Sequence, residues 1–271
     1  MTETVVTPPE GSFELQERRK RREPIIRVWD LLVRTAHWMM VVFFAIIYLR
    51  YRKFPIHAYA GYLMMVLVVL RIVWGMIGTK AARFTSFWFT PAEVIEYGRA
   101  AVRGHAGYYT SHNPMGSWMV YALLSMMLVN GTLGLMLYSA GQQLGPLGAS
   151  VPVDWEDLLI GLHMTLGHAT AALVAMHIVG VLWAARAHRE NYVLAMLTGY
   201  KRVPRQASPD QIAGYPVYPD ERISPRLRPA ERWFNFRHPF MGSVLLAIAV
   251  TLVVLEITEA AVNLNKHLLA Y

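Results

Sequence analysis

The coordinating side chains in this sequence are histidines set inside long apolar stretches. His37, His57, His163 and His177 each have mostly aliphatic, aromatic or small neighbours. An ionisable residue inside a membrane helix is costly enough to mark a functional site by default. The chain has no cysteine, which excludes disulfides, cysteine-ligated iron–sulfur clusters and thioether-linked haem. A bound metal would rest on His, Met or carboxylate. His163 and His177 are 14 residues apart; at about 100° and about 1.5 Å per residue they return to nearly one helix face, about 21 Å apart along the axis. One face thus offers a ligand near each surface of a bilayer. A lone histidine of this kind can equally be a hydrogen-bonded polar residue, so the argument rests on how the four combine.

Composition supplies the bilayer. Of 271 residues 55% are hydrophobic and 16% charged, the mean hydropathy is +0.30, and the apolar residues gather in a few long blocks. Five segments approach or meet the roughly 20 residues needed to cross a hydrocarbon core about 30 Å thick. They are Val28–Leu49, His57–Ile77, Gly116–Tyr138, Leu158–Ala185 and Pro239–Ile257. Asp30 and Arg34 in the opening turns of the first should lie at the headgroups, its buried part starting near Thr35.

Lys and Arg set the orientation, because short basic loops stay on the cytoplasmic side. Basic residues crowd Arg18 to Arg22, the second-to-third connection (Lys80, Arg83, Arg99, Arg103) and the stretch after the fourth span (Arg186, Arg189, Lys201, Arg202, Arg205). Arg50, Arg52 and Lys53 oppose this, while the loop around Asp154, Glu156 and Asp157 is acidic. The balance predicts a multi-pass protein of the bacterial inner (cytoplasmic) membrane with its N-terminus cytoplasmic. The net charge of +8 lies between apolar blocks, which argues against nucleic-acid binding.

With this topology His37 lies at inner depth on the first helix and His57 at outer depth on the second. The fourth helix enters from outside, so His163 is outer and His177 inner. The depth-matched pairs are His37 with His177 and His57 with His163. Two neutral imidazoles suit the two axial positions of a haem iron and leave no open position for oxygen chemistry. The fold expected is all-α: an integral membrane helical bundle with a four-helix di-haem core plus a fifth C-terminal transmembrane helix. The cofactors expected are two non-covalent, bis-histidine haems b, with a quinone as a further candidate. Gly61, Gly167 and Gly180 near the histidines permit close backbone approach, as small residues also do in ordinary membrane packing.

His168, 9 residues before His177, falls on the other side of the wheel and should make a helix–helix hydrogen bond. His105 and His112 are read as loop residues, solvent-exposed or in headgroup-level contact with a quinone. His188, His238 and His267 sit at helix ends. Arg71 either snorkels or pairs with a propionate of the inner haem, and Arg34 invites the same two readings. The tryptophans near span ends fit an aromatic belt. Met39, Met40, Met64, Met65, Met126 and Met127 are read as lipid-facing or core filler.

Four regions follow: a disordered basic cytoplasmic arm over 1–23, a four-helix di-haem cytochrome b core over 24–199, a Pro/Arg-rich cytoplasmic segment over 200–238, and the fifth transmembrane helix with an outer tail over 239–271. Thr90-Pro91-Ala92-Glu93 carries a capping box with proline at the first helical position, predicting a short surface helix up to Gly104.

The run Arg27-Val28-Trp29-Asp30 with His37-Trp38, the stretch His57-Ala58-Tyr59-Ala60-Gly61-Tyr62, His112-Asn113-Pro114-Met115-Gly116, the His163/His177 pair and Met196-Leu197-Thr198-Gly199-Tyr200-Lys201 together resemble the bacterial cytochrome b561 family. That family includes the b-type cytochrome subunit of nickel–iron hydrogenases, and the resemblance covers roughly residues 25 to 202. It implies a four-helix core with two haems b on the same four histidines. It further implies electron exchange between the quinone pool and a soluble or membrane-bound redox protein, such as a c-type cytochrome or a hydrogenase-like or dehydrogenase subunit. Expected partners are thus the lipid bilayer, quinone or quinol, that redox protein, and a homo- or hetero-oligomeric assembly. Two other classes compete: a transporter whose intramembrane histidines bind a metal or relay protons, and a membrane anchor for a catalytic partner.

Overall fold

The computed structural model describes residues 25–142, 147, 150–188, 190–203, 207–213, 215 and 217–218. The 1–23 arm and the 239–271 fifth span lie outside the described residues. Among those described, four helices are long and apolar enough to cross a membrane: α1 (Leu31–Leu49), α2 (Phe54–Ile77), α4 (Pro114–Gln142) and α5 (Glu156–His188). Between α2 and α4 runs α3 (Pro91–Val102), whose Thr90–Glu93 capping box forms as its sequence pattern predicts. After α5 come α6 (Tyr192–Thr198) and α7 (Pro209–Ile212).

The spans are displaced from their hydropathy limits by local chemistry. α1 starts at Leu31 because Asp30 is its N-cap, accepting from the Val33 N–H at 2.8 Å. α2 begins at Phe54, before His57, with Pro55 in the first turn. α4 and α5 each run beyond the apolar stretch at both ends.

Three short strands close one end of the bundle, in the order β2 (Tyr200–Arg202), β1 (Ile25–Arg27), β3 (Val217–Tyr218), all antiparallel. Ile26 pairs with Lys201 and Val217. The 200–238 segment therefore carries local structure at its start, two strands and α7, where an irregular run was expected. Ahead of β2, α6 ends at Gly199 with φ +88°. A side chain there would be strained and would also strike the Trp29 carbonyl oxygen at 2.7 Å. The Gly199 carbonyl accepts from Val28 and Trp29 N–H at 2.9 and 3.2 Å, so the chain before α1 is tied to the chain after α6.

Under this cap lies a core of Ile26, Val28, Trp29, Leu32, Leu70 and Trp74 with their neighbours. Asp30 is its polar centre, 3% exposed. Its second oxygen accepts from Trp74 Nε1 at 3.0 Å and Thr79 Oγ1 at 2.6 Å. Burial of this carboxylate follows from three donors converging on it. Along the bundle α1 packs on α2, α2 on α4, and α4 on α5, whereas α5 approaches α1 and α2 only sparsely.

Candidate functional site

The histidines meet across that sparse side. His37 on α1 and His177 on α5 have ring centroids 6.5 Å apart, and His57 on α2 and His163 on α5 have theirs 5.9 Å apart. Both pairs join α5 to the α1–α2 hairpin. The rings within a pair are tilted by 61° and 86°.

The His57–His163 pair is oriented by backbone. His57 Nδ1 donates to the Ile47 carbonyl at 3.1 Å, an oxygen in the last turn of α1, where helix carbonyls lack intrahelical partners. His163 Nδ1 donates to the Asn130 carbonyl at 3.0 Å, inside α4. That oxygen is reachable because residue 134, one turn on, is glycine: a Cβ there would lie 3.0 Å from His163 Cε1. With the proton held on Nδ1, each Nε2 keeps a bare lone pair for a metal. In the other pair His37 packs edge-on against Trp38 at 5.3 Å. Its Nδ1 is inaccessible and has no hydrogen-bond partner among the described residues.

These distances suit a metal between the rings. Metal–imidazole bonds of about 2.0–2.1 Å, with ring centres about 1.1 Å behind the nitrogens, set two trans imidazole centroids about 6.3 Å apart. A bare metal site takes three or four protein ligands, and among the described residues no group of three or more His, Cys, Asp or Glu comes together. Two ligands are what a metal held in a macrocycle requires. Gly61, one turn from His57, and Gly180, near His177, face open space: a Cβ on either would meet nothing within 4 Å.

His168 joins neither pair. It is exposed, and its Nδ1 donates to the Met164 carbonyl of its own helix at 2.7 Å, with Tyr48 at 6.4 Å; the expected bond to another helix is not made. His105 is exposed, and His188 Nε2 lies 3.3 Å from the Tyr97 hydroxyl. His238 and His267 lie outside the described residues.

Three residues near the strand-capped end sharpen or change their sequence reading. Arg71 is 5% exposed, with its guanidinium 5.3 Å from the Phe84 ring; it is enclosed by protein and does not snorkel. Arg34 donates to the Leu197 carbonyl. His112 is not a solvent-exposed loop residue: its ring lies against Phe87 (4.4 Å) and Trp29 (4.9 Å) and its Nδ1 is inaccessible. Burial, then the charges of Arg71 and Lys201 and the neighbouring His177, push His112 down to about 3, so it is neutral at physiological pH. No local signal in Ser111-His112-Asn113 announces this.

Lys201, one of the basic residues after the fourth span, is also buried. It is paired with Glu190 at 2.8 Å, donates to the Tyr109 carbonyl at 2.8 Å, and lies over the Tyr108 and Tyr192 rings. Burial lowers its proton affinity and Glu190 opposes that shift.

A bundle of four helices apolar and long enough to cross a membrane, with histidine rings facing one another in two pairs, has the architecture expected of a membrane cytochrome. Residues 28–199 match the prokaryotic cytochrome b561 family. The chain belongs to that family: it is a b-type bacterial membrane cytochrome of electron transfer, and the family binds haem b. No curated protein and no solved structure matches the chain.

Proposed function

We propose that this cytochrome carries two haems b, one ligated by His37 and His177 toward the cytoplasmic side and one by His57 and His163 toward the outer side. Electrons would pass between them across the membrane. The observation that carries the reading is the pair of inter-ring distances, 6.5 and 5.9 Å, each spanned by one bis-imidazole iron. Bound haem supplies reversible one-electron exchange. The chain's own part is to fix the ligand tautomers, as Ile47 and Asn130 do for the outer pair, and to exclude water from the site. Two axial histidines leave no open position for a substrate on the iron, so chemistry beyond electron transfer belongs to a partner.

The donors and acceptors that fit are quinone or quinol on one side and a redox protein on the other. An open groove of about 400 Å³ lined by Leu31, Arg34, Thr35, Trp38, Met39 and Leu197 runs along α1. Its lining residue Trp38 packs edge-on against His37 at 5.3 Å, making it the quinone site in this reading. The basic-loop bias supports a cytoplasmic N-terminus.

Haem quantitation with a reduced-minus-oxidised spectrum tests the proposal. Two low-spin b haems per chain are expected. Replacing His57 or His163 should remove one and replacing His37 or His177 the other. Absence of low-spin b bands after haem-replete expression, or loss of the same haem in all four variants, refutes it.

A further inference from the structure

His57 and Arg71 on α2 are 14 residues apart, the same separation as His163 and His177 on α5. The same helical arithmetic that carries α5 from an outer ligand to an inner one about 21 Å deeper carries α2 from an outer ligand to an arginine. At the inner level, where α1 and α5 contribute His37 and His177, α2 contributes Arg71.

Among the described residues that arginine forms no ion pair. It is 5% exposed, and among the described residues its Nη1 is inaccessible and without an acceptor. Asp30, the carboxylate that bears on it, is engaged by Val33, Trp74 and Thr79. Phe84 covers the guanidinium on one side at 5.3 Å. A buried charge with no partner is strongly destabilising, so an anion from outside the described residues is called for. His112 supplies a second unsatisfied group nearby. Its Nδ1 is equally inaccessible and unpartnered, its ring is fixed by Phe87 and Trp29, and both Arg71 and His177 bear on it electrostatically.

We propose that Arg71 and His112 form a carboxylate-binding site for a propionate of the inner haem, Arg71 as the ion-pair partner and the neutral His112 as a hydrogen-bond donor through Nδ1. This rests on the di-haem reading above. Arginine suits the task because its planar fork matches a carboxylate and stays charged when desolvated. The function of the site is to orient the macrocycle and to raise the potential of its iron, since a nearby fixed cation favours the reduced form.

The test is a redox titration of the full-length protein with both haems bound. Arg71→Gln should lower the reduction equilibrium constant of one haem at least tenfold, 59 mV for a one-electron couple, leaving the other unchanged. Arg71→Lys should recover most of the shift, and His112→Leu should give a smaller shift of the same sign. The affected haem must be the one missing from His177→Ala protein. Loading wild-type and Arg71→Gln protein with haem dimethyl ester, which lacks the carboxylates, separates a propionate from a lipid phosphate as the anion. If the propionate is the partner, the effects of esterification and substitution are non-additive. Simple addition of the two shifts would overturn the proposal, as would two bound haems whose potentials are unmoved by Arg71→Gln. The ester arm on wild-type protein needs no substitution, so it decides the matter even where a variant fails to assemble: unchanged potential and retention at the inner site refute the propionate contact. Absence of haem from wild-type protein would instead overturn the parent reading.

Discussion

Replacing Gly134 by alanine sets two effects of known size against each other. In an ordinary helix the change stabilises by about 1 kcal/mol, since glycine is that much poorer than alanine in a helix interior. At this position the added Cβ would lie 3.0 Å from His163 Cε1 and 3.5 Å from Nδ1, against an ordinary contact of about 3.5–4.0 Å. The ring must move by about 0.5 Å, and it is held by its 3.0 Å bond to the Asn130 carbonyl. Moving it lengthens a hydrogen bond whose net contribution is about 1 kcal/mol and rotates Nε2 off its axis toward the His57 side.

The two terms nearly cancel in stability and do not cancel at the site. Gly134→Ala should therefore melt within about 1 kcal/mol of wild type, while the low-spin signals of one haem broaden or shift in electron paramagnetic resonance. Gly134→Val should lose that haem and keep the other. Gly161→Ala is the control on the same helix as His163, because a Cβ there meets nothing within 4 Å. Unchanged haem signals in Gly134→Val would show that His163 does not need the Asn130 carbonyl and would break the account of how the outer ligand is oriented.

Two further outcomes follow from the capped end. Asp30→Ala removes three hydrogen bonds from one buried carboxylate; the lost cap and the charge-assisted bonds together should cost about 2–4 kcal/mol, measured by thermal or denaturant unfolding in detergent, and a loss below 1 kcal/mol would deny Asp30 its role in the cap. His112, pushed down to about 3 from an ordinary value of 6.5, is protonated more readily in the unfolded chain, so its stabilising contribution is complete above about pH 6.5 and is lost as pH falls, by about 2 kcal/mol at pH 5; His112→Phe should flatten that part of the pH–stability curve, and an unaltered slope would refute it.

Four of the five expected spans were legible because a run of about 20 apolar residues has few alternatives; the fifth lies outside the described residues. The histidine pairing was legible because a 14-residue spacing and alternating helix direction leave only one depth match. The ends of the bundle were not. Strands of two or three residues carry no period-2 signal, so nothing in Ile25-Ile26-Arg27 foretold its pairing with Tyr200-Lys201-Arg202. Charge patterning gave no sign that Asp30 and Lys201 are buried, for a related reason. The rule that places ionisable residues at the surface fails where several donors or acceptors converge, and that convergence is made by residues distant in sequence: Trp74 and Thr79 for Asp30, Glu190 and the Tyr109 carbonyl for Lys201. The Asn130 carbonyl and Gly134 escaped notice because a backbone acceptor has no sequence signature.

The distribution of charge between the two levels orders the proposed haems. At the strand-capped end, among the described residues, Arg27 and Arg71 are 7% and 5% exposed and Arg34 is half-buried, against the buried carboxylate of Asp30; the Lys201–Glu190 pair cancels. At the outer end Arg50, Arg52, Lys53, Asp154 and Asp157 are exposed and Glu156 is half-buried, and exposed charges of mixed sign are screened by water and salt. The inner level therefore carries an excess of weakly screened positive charge. One such charge about 10 Å from the iron, at an effective dielectric of about 20, is worth about 1.7 kcal/mol, or about 70 mV. The haem lost with His177 should accordingly be the higher-potential one by at least that amount, and electrons entering at the outer level would run downhill toward the inner. Equal potentials, or a higher potential in the haem lost with His57, would mean that these cations are neutralised by groups bound in the membrane and that the fold itself sets no direction.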